Sequence, residues 1–301
     1  MKLRRVRVDG RLAIQSETPD GQWQPEPDAR PLGGAPFSAE WEAAAADAHH
    51  GHLLPFQPLS FRDFMVYEKH AVAAARGLVR RFHPGLHRLA AAVEKASGRP
   101  FPPFKPKPLF YRQPIYYMSN HLSFVPSGTP IAPPGYSRAL DYELEIGFVL
   151  AAPLRDATPA EAAAAIGAFV LLNDFSARDV QRAEMTSGFG PQKSKHFASS
   201  MSATAVTADE ILPRVDALSG AVAINGTIVS RVSSAGMRWS LGEILAHASR
   251  SEQLLPGELF GTGTLPGGSG METGNWLRPG DTLTLTLDGI GEVEHTVEHA
   301  T

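Results

Sequence analysis

The chain has 301 residues, enough for one large domain or a large one plus a small one, and its formal net charge of −3 argues against a general nucleic-acid or anionic-membrane partner. It contains no cysteine, so a disulfide framework and a thiolate ligand or nucleophile are excluded, and any metal must be held by oxygen or imidazole. No apolar run approaches the ~20 residues that span a bilayer, and the charged start has no apolar segment behind it, so a cytoplasmic protein without a secretory signal is expected.

The first predicted unit is a small β hairpin, with alternation over residues 5–8, the turn signal Asp9-Gly10 and a return over 11–14. Residues 17–34 are polar and proline-rich, and a short Ala-rich helix opened by Ser38 and Trp41 follows. His49, His50 and His52 then cluster around a glycine, a pattern commoner in linkers than in metal sites. A helix is predicted over 61–81, with Ser60 as N-cap and Asp63 at the capping-box position. Residues 100–114 read as irregular, and 130–135 form a Pro/Gly loop before a strand over 140–150. Thr158-Pro159-Ala160-Glu161 opens an alanine-rich helix, 168–172 is a buried strand, and 176–184 is a short helix before a Gly/Ser/Lys-rich loop. Ser240-Leu241-Gly242-Glu243 caps a further helix, and strands over 282–287 and 293–297 flank Asp288-Gly289. There is no internal repeat. Few short helices beside many β runs predict an α+β, β-rich fold, a curved mixed sheet with helices against it, and not a doubly wound one.

Glu143 and Glu145 lie two apart on the 140–150 strand, so both point one way while Leu144 and Ile146 point the other. Two like charges beside an apolar run repel and desolvate each other, and a hard divalent cation would relieve this. A solvated strand face is the alternative. Asp174 closes the buried run, either as a site residue at a strand end or as an N-cap. Arg178 and Gln181, spaced i and i+3, suit an oxyanion or keto acid, unless they are an ordinary exposed face. Asp63 and His70, seven apart on the predicted helix, would share a face about 10 Å apart along its axis. Lys193, Ser194, Lys195 and His196 follow Gly190-Pro191 in a basic loop of a kind usually just solvated. Gly261-Thr262-Gly263-Thr264 and the glycine-dense stretch around Glu272 lack the lysine and spacing of a phosphate loop, and suit close backbone approach to a small ligand.

Together these residues resemble the fumarylacetoacetate hydrolase family, over most of the chain from Phe61 to Val297. The resemblance is carried by Arg62-Asp63-Phe64 with His70-Ala71, by Ser127-Gly128-Thr129-Pro130-Ile131, and most specifically by Asn173-Asp174-Phe175-Ser176-Ala177-Arg178-Asp179-Val180-Gln181. Gly190-Pro191 with Lys195, then residues 261–264, Glu272 and Pro279-Gly280-Asp281, follow in order. It implies a mixed β-sheet roll or barrel over 56–301, and residues 1–55 resemble the small N-terminal β domain and linker of bacterial members. It further implies Asp63, Glu143, Glu145 and Asp174 as ligands of a divalent cation. His70 and Glu272 would be the water-activating pair, Arg178, Gln181 and Lys195 the oxyanion-stabilising set, and Tyr117 and Thr264 substrate contacts. Phe175 stands where many members have tryptophan, and Met185 where the long animal enzymes have tyrosine, which puts their substrate in doubt here.

An all-oxygen set of carboxylates suits Mg²⁺, Mn²⁺ or Ca²⁺ and disfavours zinc. The expected activity is metal-dependent hydrolysis of a carbon–carbon bond in a 1,3-diketo acid, acylpyruvate-like or fumarylacetoacetate-like. A decarboxylase, isomerase or hydratase of a related keto acid on the same platform is the alternative. A non-catalytic metal–dicarboxylate binder is a third reading, but it has no need of a positioned base. The expected assembly is a homodimer, the commonest oligomer.

Overall fold

The structure, a computed structural model, describes residues 1–34 and 53–300. The expected helix after Ser38 and the histidines His49, His50 and His52 lie outside the described residues.

The first hairpin forms as its turn requires. Strands β1 (Lys2–Val8) and β2 (Arg11–Glu17) are joined by Asp9 and Gly10, at φ 49° and 76°, the two-residue turn whose hand matches the strand twist. β3 (Trp23–Pro25) pairs with β2.

The next element departs from the predicted helix. Phe61–Phe64 is a fully buried strand, β4, and the helix runs over Glu68–Phe82. The cause is tertiary: β4 lies between two partners, parallel to Leu259–Gly261 and antiparallel to Tyr116–Ser119, which satisfy its backbone on both sides. Ser60 is therefore no cap, and its hydroxyl donates to Glu258 Oε2 at 2.7 Å. Asp63 sits on a strand and His70 on a helix, so they share no helical face. A second helix, Pro84–Ser97, packs on the first around Val72, Ala90 and Phe104. Its Pro84 start and left-handed Gly98 end are legible terminus signals, but the segment shows no predicted element above.

β5 (Tyr116–Ser119) and β6 (Phe124–Pro126) precede a strand that breaks where one continuous run was expected. β7 (Leu140–Asp141) and β8 (Leu144–Leu150) have different partners, and Glu143 makes an isolated bridge to Ser269 between them. β9 (Ile166–Asn173) pairs antiparallel with β8, with Glu145 opposite Leu172. β10 (Ser176–Ala177) pairs with β7 and leads into the helix Arg178–Thr186. β11 (Ser199–Met201), β12 (Thr204–Thr207), the hairpin β13 (Ser219–Ile224) and β14 (Thr227–Ser233), and β15 (Leu259–Gly261) follow. β16 (Thr282–Leu287) and β17 (Gly291–Thr296) end the fold. Of the three predicted capping boxes two form, Thr158 with Glu161 and Ser240 with Glu243.

The main sheet has the order β3-β2-β1-β12-β9-β8-β15-β4-β5, with β11 joining β9 to β6, and a four-stranded sheet has the order β14-β13-β16-β17. The architecture is α+β and sheet-rich. The main path is open, with β3 and β5 as ends, so no closed barrel forms among the described residues. β8 and β9 are buried on both faces: Ile146, Phe148, Phe169 and Leu171 enter one core cluster, Val149, Ala168, Val170 and Leu172 the other. That is why they read as continuous apolar runs. Among the described residues no helix is long and apolar enough to cross a membrane.

Candidate active site

The central strands deliver the acids to one place. Asp63 comes from β4, Glu145 from β8, Glu143 from the break before β8, and Asp174 from the residue after β9. All four are buried. β15 runs between β4 and β8, and a Cβ on its Gly261 would stand 2.7 Å from Asp63 Oδ1 and 3.0 Å from Glu145 Oε2. Glycine there leaves the space in which these carboxylates meet.

Two cations hold the other pair. Lys195 donates to Asp174 Oδ2 at 2.7 Å and to Glu143. Arg178 donates from Nη2 to Glu143 Oε1 at 2.7 Å, from Nε to Asp141 Oδ2 at 2.8 Å, and from Nη1 to Gln181 Oε1 at 2.9 Å. Ser199 Oγ donates to Asp174 Oδ1 at 3.0 Å, and the Tyr117 hydroxyl donates to Asp174 Oδ2. Burial pushes the Glu143 carboxyl up, but Arg178 and Lys195 outweigh it and hold it below the usual carboxylate range. Asp63 and Glu145 lack such partners. Burial, then Asp174, pushes Asp63 up to about 7, and burial with Asp63 and Glu143 nearby raises Glu145 well above its ordinary value.

Asp63 Oδ1 and Glu145 Oε2 are buried acceptors with no hydrogen-bond partner. Such atoms are costly, and a hard cation fits them and the all-oxygen set around them. With Lys195 bridging Glu143 and Asp174, however, no group of three or more His, Asp or Glu among the described residues is arranged as a ready metal-ligand cluster. The four acids are brought to one place, but among the described residues a ligand shell is not preformed.

The base approaches from the helical side. The helix Glu68–Phe82 packs on the short helix Gly270–Thr273, and a Cβ on Gly77 would fall 1.7 Å from the Met271 carbonyl oxygen. Gly77, seven residues beyond His70 and on its face, thus permits the contact that brings His70 to Glu272. His70 Nδ1 lies 3.0 Å from Glu272 Oε2, within ion-pair distance. Glu272 is itself fixed, accepting from Gly267 N–H at 3.0 Å and from Ser269 Oγ at 2.9 Å. Burial lowers the His70 pKa, but Glu272 overcomes this and raises it.

A cavity of about 240 Å³ is lined by Asp63, His70, Tyr117, Glu143, Glu145, Gln181, Lys195 and Thr264, with Phe64, Met65, Ile115, Tyr116, Met185 and Pro191 adding apolar surface. Asp174, Arg178 and Glu272 stand behind this lining, each touching a residue in it. Thr264 Oγ1 also donates to Glu145 Oε1 at 3.4 Å. Of the basic loop, only Lys195 is drawn into the cavity.

Two functional side chains escape the sequence reading. Asp141 is wholly buried and accepts from the N–H groups of Gly270 and Met271 at 2.8 and 3.0 Å while binding Arg178, so one carboxylate ties the Glu272 turn to the guanidinium. Glu184, on the helix of Arg178 and Gln181, accepts from Gln192 N–H at 2.7 Å, Lys193 N–H at 2.8 Å and Ser194 Oγ at 2.6 Å. It clamps the loop that carries Lys195. Glu184→Ala is expected to lower kcat/KM by roughly tenfold through loss of several charge-assisted hydrogen bonds, with Glu184→Gln partly rescuing; unchanged kinetics in the alanine variant would remove the clamp's role.

The family described as fumarylacetoacetate (FAA) hydrolase C-terminal matches residues 86–298. Asp63 and His70 precede that range. The mitochondrial oxaloacetate tautomerase FAHD1 of Homo sapiens is 30% identical over 186 residues, 62% of this chain and 81% of that protein. Among solved structures, 5-carboxymethyl-2-hydroxymuconate delta-isomerase from Mycobacterium smegmatis aligns with TM-score 0.68 and 20% identity over 100% of both chains. Fumarylacetoacetate hydrolase from Exiguobacterium antarcticum aligns with TM-score 0.67 and 20% identity over 99% of each. These structural likenesses speak for the fold. The match over residues 86–298, with this fold beneath it, makes the chain a member of the fumarylacetoacetate hydrolase family.

Proposed function

We propose that this protein is a divalent-cation-dependent hydrolase that cleaves a carbon–carbon bond in a 1,3-diketo acid of the acylpyruvate type. The observation that carries this reading is the buried His70–Glu272 pair at a cavity lined by Asp63, Glu143 and Glu145. Asp63, Glu143, Glu145 and Asp174 would hold Mg²⁺, Mn²⁺ or Ca²⁺, which when bound supplies polarisation of the keto oxygens. Binding there requires the Lys195 ammonium to yield part of its hold on Glu143 and Asp174.

Glu272 orients the imidazole through Nδ1, which leaves the other ring nitrogen to take a proton from water. The resulting hydroxide adds to the distal carbonyl. Lys195 and the Gln181 amide, whose oxygen is occupied by Arg178, face the developing oxyanion with N–H donors. Cleavage releases a carboxylic acid, and protonated His70 returns its proton to the departing carbon, giving a 2-keto acid. The elements of one water are consumed.

A tautomerase or isomerase is the second reading, favoured by the oxaloacetate tautomerase and the isomerase among the similar proteins. His70 would then move a proton between carbon and oxygen without bond cleavage. Turnover of acetylpyruvate with Mn²⁺ in ¹⁸O-water separates the two. Hydrolysis places ¹⁸O in the acetate; keto–enol exchange with no acetate formed would make the tautomerase reading the correct one.

A further inference from the structure

The acyl group is the unassigned part of such a substrate, and the outer wall of the cavity bears on it. Gln181 and Met185, four apart on one helix, share a face that lines the cavity. Polarity falls along that face: Arg178 is 1% exposed and held by Asp141 and Glu143, whereas Met185 is 53% exposed. On the strand side the lining is Met65, Ile115 and Tyr116, where Met65 N–H donates to the Ile115 carbonyl at 3.1 Å and continues the β4–β5 pairing. Among the described residues Lys195 is the one lysine or arginine in the lining, and its ammonium lies at the acid cluster beside Glu143 and Asp174, not at this outer wall.

A carboxylate at the far end of a substrate would leave water for a wall of thioether, alkyl and aromatic groups that offers it no cation and, beyond the Gln181 amide, only the Tyr116 hydroxyl as a neutral donor, a costly transfer. An alkyl or aryl tail would bury apolar surface in the same place. The cavity of about 240 Å³ suits a diketo-acid head and a short tail, with longer tails passing over Met185. Resting on the hydrolase reading above, we infer that the enzyme selects acylpyruvates with a neutral apolar tail over diacids whose tail ends in a carboxylate, and that Met185 is a specificity-determining residue.

The test uses the full chain with Mn²⁺ and has two readouts. Calorimetric binding of 2-oxooctanoate should be roughly tenfold or more tighter than that of 2-oxooctanedioate. kcat/KM for hexanoylpyruvate should exceed that for fumarylpyruvate by a similar factor, and Met185→Arg should narrow or reverse both ratios. Equal or tighter binding of the diacid by the unaltered protein overturns the inference, as does failure to bind either acid. If neither diketo acid is cleaved but the monoacid binds tighter, the tail selection stands and the hydrolase reading fails. If Met185→Arg leaves both ratios unchanged, Met185 does not set the selection.

Discussion

Glu145→Gln is expected to abolish turnover and, in the metal-free protein, to raise the melting temperature. Glu145 is fully buried, its Oε2 has no partner, and burial with Asp63 and Glu143 nearby raises its pKa well above the ordinary carboxylate value. At a pH high enough to ionise Glu145, a neutral amide of the same shape removes repulsion among the acids. It also removes an anionic oxygen ligand, so the gain in stability comes with loss of the metal. The expected rise is roughly 2–4 °C per kcal/mol relieved. Unaltered protein should melt higher on addition of Mn²⁺, because a ligand that binds only the native state stabilises it by mass action; the variant should not. Normal turnover in the variant, or a lower melting temperature than the parent in EDTA, would sink the assignment.

The same groups contribute to the pH dependence of the metal-free protein, against buried His295, which burial lowers to about 4 and which favours the folded state as pH rises. Asp63 is pushed up to about 7 by burial, then Asp174, and burial with Asp63 and Glu143 nearby raises Glu145 well above its ordinary value. Carboxyls raised in the folded state make it bind more protons than the unfolded chain, so this stability is full below the unfolded pKa and lost as pH rises through the folded one. In EDTA, going from about pH 5 to about pH 8, the melting temperature of the unaltered protein should therefore change less favourably than that of Glu145→Gln. Identical pH profiles in the two proteins would contradict the electrostatics described for the site.

His70→Ala is expected to lower kcat by roughly 10²–10⁴, the usual worth of general acid–base catalysis, while Mn²⁺ still raises the melting temperature. The two readouts separate loss of the base from loss of the metal. The partner of His70 is Glu272, held in turn by Gly267 and Ser269. Near-normal turnover on the best substrate would end the water-activating role and leave proton transfer by another group as the better account.

Local chemistry made several elements legible in the sequence. Asp9-Gly10 can close a two-residue turn by itself, and Thr158 with Glu161 and Ser240 with Glu243 satisfy helix-end N–H groups within their own turns. The apolar run of β9 reads as a buried strand because both its faces are buried. Asn225-Gly226, at φ 53° and 74°, carries the same hairpin signal as Asp9-Gly10 between β13 and β14. The Asn173–Gln181 run carried the family resemblance, and with it the residues that gather at the cavity.

Tertiary structure decided the rest. Residues 61–64 have the pattern of a helix start but are strand, since β5 and β15 supply partners from residues distant in sequence. The break at Glu143 reflects different partners on its two sides, β10 for β7 and β9 for β8. Asp141 and Glu184 look like ordinary acids in the sequence because a carboxylate's role depends on which N–H groups the fold brings to it. Here those are Gly270 and Met271 for one, and the loop before Lys195 for the other. Composition fixed what the site could be made of, oxygen and imidazole; only long-range pairing decided that Lys195, from a loop expected to be solvated, stands between Glu143 and Asp174, because a buried ammonium is stable only where folding has placed carboxylates around it.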